Sequence, residues 1–384
     1  MTTTQPIKAM TDTKEKWLYD ALAVIQLNGY SYRNISNWFC ICQRNGSECV
    51  FCDIKSRIDD AAVRKTIANL KPPQSTSTML SVPNNMPLAL RPIENERDFV
   101  TALAIESMVA KENLSTYTSH PSCLVFDRYL YGNGSQDIFT YGKLVSKDGV
   151  GIGYVLAYLA YSSETEFVIR LLPQYSVFYA ETIKCVENSF PQKNKLTVIA
   201  NNLNTPLCEA LDKNGFVCEN EERWQSVLDL SEYVNMEITW QDEVIEVLSE
   251  SDIDARVTYA DIPTGEAITR NMYETLIASE YYNSALDYVV RNAGTNEFIG
   301  FITWWIDEDS KTATLEPVAC LPEYRRRGIM KRALLFGLNE LKRCGLRYAY
   351  VSTSIHNEKS QPLYKAVGFH KVGTACQWVK ERNV

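Results

Sequence analysis

Hydrophobic and polar positions recur with a clear period over much of the C-terminal part of the chain. Apolar residues spaced three and four apart predict an amphipathic helix over 329–343. Short runs rich in β-branched and aromatic residues predict strands at "LDYVVRN", "FIGFITWWI", "TATLEPVAC" and "RYAYVST", and a final strand near 374–380. Residues 239–280 are predicted to be helix-rich, and a further helix is predicted to begin near Lys359. This order predicts an α/β fold of the α+β type, with helices on the faces of a mixed sheet.

The same pattern occurs twice along the chain. A strand with an apolar-Gly-aromatic run, followed by a strand that ends in Leu-Pro-x-Tyr, is found at 149–175 and again at 296–324. Further on, "NTPLCEALDKNGF" (204–216) matches "NEKSQPLYKAVGF" (357–369), with the Asn and the Gly-Phe at the same spacing. So many shared positions indicate two domains of one fold.

A polar stretch separates these domains from the N-terminal part of the chain. Residues 72–87 are rich in Pro, Ser, Thr and Asn and carry no charge, which is typical of a linker. We therefore predict a small helical, Cys-rich segment over 1–71, a linker over 72–90, and two domains over 91–232 and 233–384.

Composition narrows the class of protein. The chain has 384 residues, is 45% hydrophobic and carries a net charge of −8, which argues against a surface that is basic throughout. No uninterrupted apolar run reaches the ~18 residues of a membrane span, and the N-terminus lacks the apolar core of a signal peptide. The 11 cysteines are an odd number, typical of reduced thiols. We expect a soluble, cytoplasmic protein that neither crosses a membrane nor binds nucleic acid.

Cations are crowded at the N-terminal end of the predicted helix: Arg325, Arg326, Arg327, Lys331 and Arg332. The helix dipole disfavours positive charge there by about 0.3–1 kcal/mol for each cation. Gly328 permits a positive φ in the turn, and the N–H groups of the first helical turn have no partners inside the helix. Such a turn can bind an anion, so a pyrophosphate among the cations would explain them. The alternative is a solvated basic run.

This turn resembles the acetyl-CoA-binding motif of the GNAT N-acetyltransferase superfamily. The family pattern is Arg or Gln, two residues, Gly, one residue, and Gly or Ala, which corresponds to Arg325 through Met330. Met330 departs from the pattern, because the family prefers a small residue there. "NEKSQPLYKAVGF" resembles the second family signature, Asn…Leu-Tyr-x-x-x-Gly-Phe. The resemblance covers 233–384 and, in degraded form, 91–232, and it implies tandem GNAT domains with a degenerate first copy.

The resemblance also implies how acetyl-CoA is bound. In this family the strand before the basic turn bulges, and its free backbone groups pair with pantetheine. Asn357 would contact the cofactor, and Tyr364 would donate a proton to the leaving thiolate. Alternatively, Tyr364 is a packed helix residue. The implied acetyl-CoA-binding residues are Val318, Ala319, Cys320, Arg325, Arg326, Arg327, Gly328, Ile329, Met330, Lys331, Asn357 and Tyr364.

The acceptor amine must lose a proton before it attacks a thioester. Glu316 lies on the strand before the turn, and in some family members a Glu on this strand is the general base. The alternative is an ordinary strand carboxylate paired with a cation. The function implied is acetyl-CoA-dependent transfer of an acetyl group, by direct attack, to a primary amine of a small molecule or peptide.

Two further features leave alternatives open. The acceptor is expected near "SEYYNSALDY", which offers Glu280, Tyr281 and Tyr282. Alternatively, the chain is a non-catalytic acyl-CoA-binding sensor or partner-binding protein that uses residues 1–71 as its interaction module. The retained Tyr364 favours the enzyme, and Met330 mildly favours the sensor.

The first copy lacks the residues needed for catalysis. It has "SVFYAE" (176–181) where the second copy has "RRRGIM", and Leu211 occupies the position of Tyr364. It therefore has neither a basic turn nor an acid at these positions. We expect it to be a structural partner that packs beside the second copy and helps to shape the acceptor cleft.

Four of the cysteines, Cys40, Cys42, Cys49 and Cys52, lie close together in "WFCICQRNGSECVFC". The spacing C-x-C-x6-C-x2-C can close a tetrahedral four-thiolate zinc site, with Asn45-Gly46 in the turn. The alternative is a set of buried or redox-active thiols in a small helical module.

Overall fold

The computed structural model of the chain describes residues 88–112, 120–130, 138–147, 150–158, 164–191, 194–259 and 268–382. The predicted Cys-rich segment over 1–71 lies outside the described residues. Among the described residues, no helix is long and apolar enough to cross a membrane.

Strands from both copies form one continuous mixed sheet. The strands are β1 (Ala89–Pro92), β2 (Gly142–Lys147), β3 (Val150–Tyr158), β4 (Glu164–Leu171), β5 (Lys195–Asn201), β6 (Val217–Asp229), β7 (Glu243–Val247), β8 (Asp287–Asn292), β9 (Phe298–Asp307), β10 (Thr312–Cys320), β11 (Tyr348–Ser354) and β12 (His370–Glu381). Their spatial order is β1-β2-β3-β4-β5-β12-β6-β11-β10-β9-β8-β7. Neighbouring strands are antiparallel except for the pairs β4–β5 and β10–β11, which are parallel.

Helices cover both faces of this sheet. They are α1 (Glu96–Glu112), α2 (Pro121–Val125), α3 (Ile138–Tyr141), α4 (Tyr179–Ser189), α5 (Thr205–Lys213), α6 (Ile253–Thr258), α7 (Arg270–Ile277), α8 (Ile329–Arg343) and α9 (Gln361–Ala366). A π-helical turn, Phe126–Leu130, follows α2. The predicted mixed sheet with helices on its faces is therefore confirmed.

The predicted elements of the second copy agree with the structure, with one error. The helix predicted over 329–343 has those bounds, and the strands lie where the apolar runs predicted them. The prediction that 239–280 is helix-rich is wrong in its first part, because Glu243–Val247 forms β7 at the edge of the sheet. The sequence of this strand, Glu-Val-Ile-Glu-Val, is too short to distinguish a strand period from a helix period. Helices α6 and α7 follow β7.

The last strand of each half pairs with the sheet of the other half. Strand β6 lies between β11 and β12, and its pairing with β11 runs from Tyr348↔Asp229 to Ser354↔Arg223. Strand β12 in turn pairs with β5 from Ala375↔Asn201 to Glu381↔Lys195. This exchange was not predicted from the sequence. It brings residues of the first half to the edge of the second half's central strands.

The two faces of the second half have different packing. On one face α8 lies so close to β9 that a Cβ at Gly337 would collide with the indole nitrogen of Trp304. On the other face, side chains of α1 and α2 pack with Tyr273, Leu276 and Trp305 in one shared core. Here the ring of Phe126 meets the edge of Trp305, with centroids 4.9 Å apart. The first half therefore packs against this second face of the second half, which we call the α6–α7 face.

Candidate functional site

A gap between two parallel strands forms the centre of the candidate site. Strands β10 and β11 pair over only three residues, from Thr312↔Tyr348 to Thr314↔Tyr350. The register of β10 against β9 shifts between Leu315 and Val318, so that β10 carries a bulge where it separates from β11. A bulge interrupts a ladder and leaves backbone groups unpaired. Residues Val318, Ala319 and Cys320, which the resemblance assigns to pantetheine, lie directly after it.

The basic turn follows at the end of this strand. Gly328 is the N-cap of α8 and has a left-handed φ of 76°, so the sequence expectation for its backbone is met. Arg326 also has a positive φ, 67°. The side chains of Arg325, Arg326 and Arg327 are exposed. Arg325 Nε donates to the carbonyl of Cys320 at 3.0 Å, which ties the turn to the strand.

The remaining residues at the start of α8 have different environments. Lys331 is exposed, like the three arginines. Ile329 and Met330 are buried in the core between α8 and the sheet, so the large Met330 side chain points away from the solvent side of the turn. Arg332 forms an ion pair with the buried Glu243 of β7. One of the five clustered cations is thus used to hold the sheet edge.

Tyr364 and Asn357 approach the gap from the other side. Asn357 is exposed after β11, and its Oδ1 accepts from the backbone N–H of Ser360 at 3.3 Å. Tyr364 on α9 is buried, and its ring packs edge-on against Phe369. Burial, and secondly the negative charge of Glu316, raise the pKa of Tyr364 well above its usual value. Tyr364 therefore keeps its proton at neutral pH and lies within electrostatic reach of Glu316.

Glu316 lies in the bulge itself. Leu315 pairs with Trp304 and Val318 with Ile302, so Glu316 and Pro317 together face one residue of β9, Thr303. The backbone carbonyl of Glu316 accepts from the Trp305 indole at 2.7 Å, which fixes the bulge. Burial raises the pKa of the Glu316 carboxyl, while Arg223 and Arg256 partly oppose the rise. A raised pKa makes this carboxylate a better base than an exposed glutamate.

These two arginines were not among the residues selected from the sequence. Arg223 belongs to β6 of the first half and reaches the site through the strand exchange. Arg256 lies on α6, is buried, and stacks on Phe301 at 3.9 Å. Neither arginine lies in a motif, so only the tertiary structure could reveal them.

The first half closes the equivalent gap with its own side chains. Strands β4 and β5 pair only from Glu164↔Lys195 to Phe167↔Val198 and then separate. The hydroxyl of Tyr179, which aligns with Gly328, accepts from the backbone N–H of Leu171 at 3.4 Å and from Asn204 Nδ2 at 3.2 Å. Asn204 aligns with Asn357. A protein hydroxyl thus bridges the two sides of the gap in the first half.

A buried arginine also occupies the region of the first half that corresponds to the second half's gap. Arg170 aligns with Ala319 and forms an ion pair with Glu106, 3.5 Å from its Nε. Tyr154 donates a hydrogen bond to the same carboxylate at 2.5 Å. Leu211, which aligns with Tyr364, is also buried. The first half therefore has neither an open gap nor a hydroxyl at the acid position.

The tyrosines expected near the acceptor lie on the α6–α7 face. Tyr282 donates to Asp287 Oδ2 at 3.0 Å, and its ring lies 5.9 Å from that of Trp305. The ring of Tyr281 packs against Phe99 of the first half. The first half thus borders this face of the site.

The zinc prediction at Cys40, Cys42, Cys49 and Cys52 falls outside the described residues. In the part of the chain that the structure describes, no group of three or more His, Cys, Asp or Glu side chains could hold a metal ion.

Part of the second half matches a known protein family. Residues 254–369 match the model of the acetyltransferase (GNAT) family. No curated protein sequence matches the chain. The chain shares its fold with a GCN5-related N-acetyltransferase from Sphaerobacter thermophilus, with a TM-score of 0.52 and 14% identity over 77% of this chain and 95% of that one. An acetyltransferase of the GNAT family from Colwellia psychrerythraea gives a TM-score of 0.54 and 12% identity over 77% of this chain and 100% of that one.

A tandem arrangement is also found among solved structures. A tandem GNAT protein from the clavulanic acid biosynthesis pathway matches with a TM-score of 0.52 and 11% identity, over 77% of this chain and 99% of that chain. The agreement covers both halves rather than the second alone. The second half therefore carries a match to the GNAT family over residues 254–369, and the chain shares the fold of a tandem GNAT protein.

Proposed function

We propose that the second half is an acetyl-CoA-dependent N-acetyltransferase that moves an acetyl group to a primary amine by direct attack. The observation that carries this proposal is the gap between β10 and β11, which ends in an exposed basic turn capped by the left-handed Gly328. GNAT enzymes act on amines of small molecules or peptides, and the same class of acceptor is proposed here.

The residues at the gap fit acetyl-CoA as a substrate. Unpaired N–H groups at the start of α8 and three exposed arginines suit a pyrophosphate. After the bulge, Val318, Ala319 and Cys320 pair with β9 on one side only, and the side that faces away from β9 has no strand partner among the described residues, which suits an extended amide chain. Met330 does not obstruct the turn, because its side chain is buried in the core. The departure from the family pattern at this position therefore leaves the anion site intact.

Glu316 and Tyr364 supply the two proton transfers in this proposal. Glu316 takes a proton from the acceptor ammonium, and the free amine then forms a bond to the acetyl carbon. As the C–S bond breaks, Tyr364 gives its proton to the leaving thiolate. The second amine proton returns to Tyr364 through solvent, so the products are an amide, free CoA and one proton on Glu316. The raised pKa values of both groups suit these roles.

The first half acts as a non-catalytic partner in this proposal. Its gap is closed by Tyr179 and Arg170, while its β6 and the core around Phe126 border the second half's site. The catalytic unit therefore needs the first half even though that half binds no substrate of its own.

A panel of amines tests the proposed function. Purified full-length protein is mixed with acetyl-CoA and each amine, and release of free thiol is measured together with acetyl-CoA binding. Amine-dependent thiol release is expected. Acetyl-CoA binding with no thiol release for any amine would contradict the enzyme and indicate the acyl-CoA sensor instead.

A further inference from the structure

Two guanidinium groups on the α6–α7 face of the gap, Arg223 and Arg256, lie near enough to the Glu316 carboxylate to lower its pKa. Arg256 Nη2 donates to Thr303 Oγ1 at 3.3 Å, and Thr303 is the residue that faces the bulge at Glu316. The stacking partner of Arg256, Phe301, pairs with Ala319 on the neighbouring strand. Arg256 therefore lies over β9 beside the bulge.

Arg223 lies on the opposite side of the same gap. Its Nε donates to Ser352 Oγ of β11 at 3.1 Å. The next residue, Thr353, makes a hydrogen bond of 2.9 Å with Ser360, just before α9, so its side chain points to the α8–α9 face. Because side chains alternate along a strand, Ser352 and Arg223 point to the α6–α7 face. Glu316 thus lies between an arginine of its own half and one contributed by the first half.

The two arginines differ from others in the fold in how they are paired. Among the described residues, neither Arg223 nor Arg256 has a carboxylate oxygen within the 4.0 Å of an ion pair. Asp287 approaches Arg256 only through the Thr303 hydroxyl, which donates to Asp287 Oδ1 at 2.8 Å. By contrast, three buried or half-buried arginines elsewhere are each paired with a buried carboxylate: Arg170 with Glu106, Arg291 with Asp252 and Arg332 with Glu243.

Arg256 also has a donor without a partner. Its Nε is buried and makes no hydrogen bond to any described residue. A buried unpaired charge is unfavourable. Asp287, which is buried, and Glu316 offset the charge of Arg256. The group open to an anion on a bound molecule is therefore Arg223, which is exposed and has no carboxylate partner among the described residues.

We propose that the acceptor is a small amino carboxylate, whose amine lies at Glu316 and whose carboxylate is bound by Arg223 of the first half. This inference rests on the proposed function and narrows its substrate class. Arg256 acts as a positioning residue: like Arg223, it lowers the pKa of Glu316 against the effect of burial, and Glu316 accepts a proton from the amine. The carboxylate of the acceptor supplies Arg223 with a direct ion-pair partner.

The test compares acceptors that differ only in the carboxylate. Standard amino acids, their α-amides and the corresponding decarboxylated amines are assayed by thiol release at a pH where each amine has the same deprotonated fraction. The amino acids should exceed their amides in kcat/KM by about 10- to 100-fold, the range for a hydrogen bond between charged groups.

Variants assign the difference to particular residues. Arg223→Gln should reduce the preference for the carboxylate to about one, mainly through KM. Because Arg223 also lowers the Glu316 pKa, wild type and variant are each compared at the pH where kcat/KM is highest. Arg223→Lys should restore part of the preference. Arg256→Gln should keep the preference for the carboxylate, because Arg223 is still present. It should raise the pH below which kcat/KM falls, since it removes a cation that lowers the Glu316 pKa. Arg347→Gln, an exposed arginine that stacks on Tyr348, is the matched control and should change neither property.

Two outcomes overturn the inference in distinguishable ways. If wild-type protein acetylates amides and decarboxylated amines as well as amino acids, the acceptor has no carboxylate requirement, while the proposed function stands. If the protein binds acetyl-CoA but acetylates no amine, the proposed function fails and the inference fails with it.

Discussion

Replacing Tyr364 by Phe removes one hydroxyl group from the candidate site and leaves its packing in place. The ring is 6% exposed and lies edge-on to Phe369, with centroids 6.2 Å apart, and both contacts persist in the variant. Loss of one hydrogen bond at this hydroxyl should cost about 1 kcal/mol of folding free energy or less. The binding of acetyl-CoA should not change, because the residues proposed to hold its pyrophosphate lie on the basic turn and α8.

The effect on catalysis should be much larger. Without its proton donor the enzyme must expel a bare thiolate or recruit water, and general acid catalysis of this kind contributes roughly 10²–10³ in kcat, or about 3–4 kcal/mol. The loss should fall on kcat rather than on KM, because the proton is needed only in the transition state. Thiol release is measured with saturating acetyl-CoA and an acceptor for which chemistry limits turnover.

A second tyrosine provides the control for this experiment. Tyr288 is buried in the same core and packs edge-on against Phe336. It lies on β8, away from the gap, so Tyr288→Phe should retain the wild-type kcat. If Tyr364→Phe retains it as well, Tyr364 is a packing residue and the leaving thiolate takes its proton from another group.

Three further predictions concern the basic turn, the base and the cysteines. Gly328→Val should weaken acetyl-CoA binding at least tenfold by calorimetry, about 1.4 kcal/mol. Gly345→Val should leave acetyl-CoA affinity unchanged. This control also places a side chain at a left-handed φ, 75°, but at the other end of α8. An equal loss of affinity in both variants would refute the anion site. On the acid side of the pH profile, kcat/KM should fall at a pH above the usual pKa of glutamate. Burial raises the pKa of Glu316, and the base becomes protonated as the pH falls through that value. Glu316→Gln should abolish this fall in kcat/KM, and its persistence would show that another group is the base. If Cys40, Cys42, Cys49 and Cys52 form a four-thiolate site, elemental analysis of protein purified without chelator should find about one zinc per chain. The Cys40→Ser variant should lose this zinc. Metal-free protein with four freely titratable thiols would leave the alternative of buried or redox-active thiols.

The sequence predicted those parts of the site that depend on local pattern. The helix over 329–343, the left-handed turn at Gly328 and the strand over 312–320 all follow from periodicity and from the conformational freedom of glycine. The sheet itself was predictable because its central strands are short apolar runs. The family resemblance rested on these same residues.

The charged surroundings of Glu316 were not predictable in this way. Arg223 reaches the gap only because β6 pairs with β11 of the other half, a contact between residues more than 100 positions apart. The closing of the first half's gap by Tyr179 also depends on distant partners, Leu171 on β4 and Asn204 after β5. Sequence periodicity shows which face of an element is buried, and it carries no information on which distant strand will lie beside it.

The number of acetyl-CoA molecules bound per chain tests the central claim most directly. The second half has an open gap with a basic turn, whereas the first half has a gap bridged by the Tyr179 hydroxyl and filled by Arg170. Calorimetric titration of the full-length protein with acetyl-CoA should therefore give one site per chain. Two equivalent sites, or no binding at all, would contradict the account.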